Sequence, residues 1–132
     1  WRYDPVLLTN EYTIERHLET FEKMAGELAP YIDRCIFSFV EMYKKLETNM
    51  PGIIPLSVRD MDVLARGLGS IARKYGVYIQ TCGTNGDFSR YGVHASGCMT
   101  LDILGKVNGV VFKDLKRGSM RRGRHCIESR NI

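Results

Sequence analysis

The segment Cys35-Ile36-Phe37-Ser38-Phe39-Val40 is a short, nearly continuous apolar run. A strand with one wet face alternates apolar and polar residues. A run like this one belongs to a strand buried on both faces, the kind found in parallel sheets. Parallel neighbours need crossover connections, so helical segments should lie on either side of it. The first lies upstream. Ile14, Leu18, Phe21, Ala25 and Leu28 recur at steps of three and four, one face of a helix. Glu15, Glu19, Glu22 and Lys23 fill the other face, Thr13 stands at the N-cap position and Pro30 marks the end.

The same pattern then repeats. A loop with Pro51, Gly52 and Pro55 leads to Ser57, which with Asp60 resembles a capping box. Val58, Met61, Leu64, Leu68 and Ile71 form the apolar face behind it, and Gly76 is a C-terminal stop. Trp1 to Leu8 and Val77 to Cys82 read as strands. Residues 83–99 are Gly-rich and polar. Thr100 should cap a short helix through Lys106, and Val110-Val111-Phe112 should start a fourth strand after the Asn108-Gly109 turn. The expected fold class is α/β, with alternating β-α units, a mostly parallel sheet and right-handed crossovers.

A complete (β/α) barrel takes about 200–250 residues, and this chain has 132. It supplies roughly half of one, and a small open α/β sheet is the alternative. Half a barrel exposes two sheet edges, which favours self-association. The first residue is Trp and not Met, which points to a piece of a longer protein. Trp1-Arg2-Tyr3-Asp4-Pro5 lacks the apolar core of a signal peptide. No apolar run approaches the roughly 20 residues that a membrane-spanning helix needs, so no membrane partner is expected.

Charge divides the chain in two. Residues 1–112, the expected α/β domain, hold 12 basic and 13 acidic side chains. Residues 113–132 hold seven basic side chains (Lys113, Lys116, Arg117, Arg121, Arg122, Arg124 and Arg130) and two acidic ones. Such a basic segment can engage nucleic acid through phosphates. No aromatic residue is interleaved for base stacking, so a solvated terminus is the plainer reading. Cys35, Cys82, Cys98 and Cys126 include no C-x-x-C pair, which removes zinc-ribbon and thioredoxin motifs. Without a leader or a cysteine framework, a reducing cytoplasm is the expected compartment.

Chemistry in either α/β architecture gathers where strands end. The exits offer Arg2, Tyr3 and Asp4; Ser38, Glu41, Tyr43, Lys44 and Lys45; Gln80, Thr81 and Cys82; and Lys113 and Asp114. Arg2 and Asp4 alternate to one side of an extended segment, as a substrate-orienting pair or as an ion pair locking strand ends. Tyr43 and Lys44 are a possible proton-transfer pair. Cys82, Cys98 and Cys126, with His94 and His125, are soft or borderline ligands for zinc or iron. Buried thiols also serve as plain hydrophobes. Cys35, inside an apolar strand, should be core, and His17, among charges, should be on the surface. Phosphate-binding, dinucleotide-binding, serine-hydrolase and zinc-protease motifs are absent.

Several segments taken together resemble one bacterial family, domain of unknown function 1848. They are Trp1-Arg2-Tyr3-Asp4-Pro5, Tyr12-Thr13 with His17 and Phe21, Ser38-Phe39-Val40 with Tyr43-Lys44, and Thr81-Cys82. Tyr91-Gly92-Val93 followed by Cys98, Lys113-Asp114 and Cys126-Ile127-Glu128-Ser129 complete the set. Arg124 stands where the family tends to have a second cysteine. The resemblance implies a C-terminal cysteine cluster like that of radical S-adenosylmethionine enzymes, with this chain as the middle portion cut before it. The full-length protein would then use an iron–sulfur cluster and S-adenosylmethionine, and this fragment would hold neither. Arg2, Asp4, Ser38, Tyr43, Lys44 and Cys82 would line a cavity for a small-molecule or macromolecular substrate. A zinc-bearing domain built on Cys82, Cys98 and Cys126, and a nucleic-acid module built on the basic segment, are the other readings.

Overall fold

The computed structural model describes residues 1–84, 86–98 and 100–111. The run singled out above forms β2 (Arg34–Phe39) at an interior position of a four-stranded sheet, ordered β1-β2-β3-β4 and parallel throughout. Its flanks are β1 (Arg2–Val6) and β3 (Tyr78–Cys82), and β4 (His94–Ser96) closes the far edge. α1 (Ile14–Leu28) connects β1 to β2; α2 (Lys44–Asn49) and α3 (Val58–Lys74) lie between β2 and β3. α4 (Leu101–Asn108) follows β4. The expected α/β class holds, with a sheet rather than a closed barrel among the described residues.

The helix ends follow local chemistry. Thr13 accepts the Arg16 amide at 3.3 Å and starts α1. At α3 the full capping box is present: Ser57 Oγ accepts the Asp60 amide at 3.1 Å, and Asp60 accepts the Ser57 amide at 2.9 Å. Together they satisfy two of the amides that a helix start leaves open. Thr100 caps α4 in the same way through the Ile103 amide. Past α3, Gly76 takes φ +69°, the left-handed turn that favours glycine.

Strand side chains alternate between faces, and the register sorts them. Phe37 lies opposite Thr81 and Cys35 opposite Ile79, and all four turn toward α1 and α3. There Phe21, Ala25, Leu64, Leu68 and Ala72 are fully buried and join Cys35, Phe37 and Ile79 in one core. Trp1 stacks on Phe21 with ring centroids 4.7 Å apart, and Tyr3 meets the same ring edge-on. The other face carries Arg2, Asp4, Arg34, Ile36, Ser38, Gln80, Cys82, His94 and Ser96. The sheet therefore buries its apolar side under α1 and α3 and keeps a polar side away from them.

Three expectations are corrected. The fourth strand is His94–Ser96, and Val110 and Val111 lie outside any strand; Phe112 falls outside the described residues. The place beside β3 is already taken by β4, so strand propensity after α4 has no partner there. The polar segment after Tyr43 contains the short α2, and β3 reaches β4 with no α-helix between them, only a 3-10 turn at Ser89–Tyr91. His17 is buried, not on the surface. Its Nε2 lies 2.7 Å from the Leu7 carbonyl, which only accepts, so Nε2 carries the proton. Its Nδ1 meets the Tyr3 hydroxyl at 2.9 Å. These bonds make the burial tolerable.

Candidate functional site

The face turned away from α1 and α3 brings several candidate residues together. Arg2 grips Asp4 through two bonds, Nε to Oδ1 at 3.2 Å and Nη2 to Oδ2 at 2.5 Å. Ser38, on the neighbouring strand, donates to Asp4 Oδ2 at 3.4 Å. Two residues past Ile36, which pairs with Gln80, Ser38 stands on the same face as Cys82, which pairs with Ser96. Asp4, Ser38, Cys82 and Ser96 thus come from four consecutive strands onto one face. The Asp4 side chain is 14% exposed while that of Arg2 is 52% exposed, so the pair offers its guanidinium outward. Asp4 and, next, Cys98 hydrogen-bond Arg2 and raise its pKa, keeping it cationic.

Gln80 sits near the centre of this face and is fully buried. Its Oε1 accepts from Arg34 at 3.3 Å, and its Nε2 donates to the Gly97 carbonyl at 3.1 Å. The chain leaving β4 therefore turns back over the sheet, with Gly97 above Gln80 and Cys98 beside Arg2. Beside Gln80, Tyr78 stacks on His94 with ring centroids 4.3 Å apart, and Arg34 lies over Tyr78. A buried amide with both ends bonded fixes the geometry around it.

Other candidates stand elsewhere. Tyr43 is 57% exposed and precedes α2 together with the exposed Lys44. Among the described residues, no hydrogen bond or ion pair joins either one to Arg2, Asp4 or Ser38. Cys35 is core, as expected, and burial pushes its thiol up to about 12. Cys82 lies on the opposite face from Cys35. Among the described residues, no three His, Cys, Asp or Glu side chains gather as a metal site. Cys126, His125, Lys113, Asp114 and the basic segment 113–132 lie outside the described residues. No helix among them is long and apolar enough to cross a membrane.

The sequence reading did not name Arg34 at all, and it listed Gln80 without a role. The alternation Arg34-Cys35-Ile36-Phe37-Ser38 already placed Arg34 with Ser38, away from the core-facing Cys35 and Phe37.

A parallel α/β sheet with helices packed on its apolar face and hydrogen-bonded polar groups on the other defines the class of this protein. A family model described as Domain of unknown function (DUF1848) matches residues 1–132, and the chain belongs to that family. No curated protein and no solved structure matches the chain.

Proposed function

We propose that this chain forms one wall of the substrate cavity of a larger enzyme of the iron–sulfur, S-adenosylmethionine type. Arg2, Asp4, Ser38 and Cys82 bear on a polar small molecule, and Tyr43 and Lys44, exposed at the start of α2, are not joined to them. The observation that carries this reading is the Arg2–Asp4–Ser38 group on the sheet face turned away from α1 and α3. Burying polar groups costs free energy unless they are paired, so polar residues across four strands of one face favour a working surface over a structural one.

The described residues do not fit an iron–sulfur cluster or a zinc ion. No three ligand-type side chains gather among them, and Cys35 and Cys82 face opposite ways. In this reading, these residues bind and orient the substrate, with Arg2 as a fixed cation steered by Asp4. The edges of β1 and β4 have no further strand among the described residues; they would join the rest of the parent's sheet or a second copy.

Full-length protein reconstituted anaerobically is expected to contain iron and acid-labile sulfide. In a melting screen against metabolites, polar ligands should stabilise the native protein and lose that effect in Arg2→Gln. Iron-free protein overturns the parent assignment, and ligands indifferent to Arg2 overturn the assigned wall. The alternative is nucleic-acid binding, resting on the seven basic side chains of 113–132. Iron-free protein with salt-sensitive binding lost on truncation at Lys113 would favour it.

A further inference from the structure

A cavity of about 630 Å³ lies between α4 and the N-terminal ends of β1 and β2. That volume falls in the range of small-molecule pockets, about 300–1,000 Å³. Trp1, Asp33 and Arg34 form part of one side, and Ile103, Lys106 and Val107 form the other. The Arg2, Asp4 and Ser38 group is not in its wall.

Two observations define what fits. The first is charge: two cations and one carboxylate line the cavity. Arg34 is aimed by Gln80 at 3.3 Å and by the Tyr78 ring, and among the described residues it has no ion-pair partner. The second is the apolar remainder of the wall, with the Trp1 ring, Ile103 and Val107. An anionic oxygen attached to an apolar body answers both.

We propose that this cavity is a binding site for a small organic anion, with Arg34 and Lys106 on the charged oxygens and Trp1, Ile103 and Val107 around the body. The proposal goes beyond the reading of the Arg2–Asp4–Ser38 group and does not depend on it.

Trp1 is the chain's single tryptophan, so its fluorescence reports occupancy of this cavity directly. The probes are phenyl phosphate and benzoate, with inorganic phosphate and benzyl alcohol as the charge-only and body-only controls. In the full chain, at least one organic anion should change Trp1 emission saturably, and the two controls should bind at least about tenfold more weakly. Which of the two anions wins separates a phosphate site from a carboxylate site. Arg34→Gln and Lys106→Gln should each weaken binding about tenfold, and Arg16→Gln, on α1 outside this cavity, should not. Lys106 is exposed, so Lys106→Gln decides alone if Arg34→Gln unfolds. No saturable change, an unaltered affinity in Lys106→Gln, or equal binding of benzyl alcohol overturns the proposal.

Discussion

At the residue scale, the segment Trp1-Arg2-Tyr3-Asp4 divides its labour by alternation. Trp1 and Tyr3 turn to the core, against Phe21 and His17, while Arg2 and Asp4 turn to the polar face. The burial of His17 was legible in part. Position 17 lies three residues after Ile14 and four before Phe21, inside the apolar stripe, but its charged sequence neighbours point the other way. What no sequence pattern supplies is the Leu7 carbonyl that accepts the hydrogen bond from its Nε2. Burial raises Tyr3 from 10.0 to about 12 and Cys35 from 9.0 to about 12. The unfolded chain therefore releases these protons first. Between pH 9 and 12 the folded state binds more protons, so stability falls as pH rises through that window. Urea midpoints should drop steadily from about pH 9 to 11, and less steeply in Cys35→Ala. A midpoint that stays flat or rises over that interval contradicts this assignment.

At the scale of elements, the parts with strong periodicity were readable and the weak ones were not. α1, β2, α3 and β3 carry stripes or runs that burial demands. β4 is three residues, His94-Ala95-Ser96, with no apolar run. It exists because β3 offers an open row of backbone groups, a tertiary fact. The same holds for α2, whose Lys-Lys-Leu-Glu-Thr-Asn has one apolar residue and no visible period. Gly67 and Gly69 in α3 look alike in sequence as signs of close packing, and their surroundings tell them apart. A Cβ on Gly69 would collide with the Tyr91 backbone carbonyl, which cannot step aside. A Cβ on Gly67 would meet the tip of Leu18, at 2.5 Å, which can turn away. Gly69→Ala should cost about 2–3 kcal/mol by overpacking. Gly67→Ala should stay within about 1 kcal/mol, since alanine's helix preference offsets the crowding. Chemical denaturation of the two variants checks the order, and equal costs would show that Tyr91 does not seat against α3.

For the whole molecule, the account reduces to sidedness. Helices bury one face of a parallel sheet, and the other face keeps Arg2, Asp4, Ser38, Gln80 and Cys82. The parallel order was readable from the sequence; the position of Arg2 was not, since it opens β1 and does not stand at its exit. The return of Gly97 and Cys98 over the polar face was not, since it depends on a contact between Gln80 and a backbone carbonyl seventeen residues away. Adjacent residues on β2 test sidedness most directly, because Phe37 faces the helices and Ser38 faces away. The measurement is the urea unfolding free energy of Phe37→Ala and Ser38→Ala beside the native chain. The expected cost is about 3–5 kcal/mol for Phe37→Ala and less than about 1 kcal/mol for Ser38→Ala. Equal costs, or a larger one for Ser38→Ala, would contradict the account.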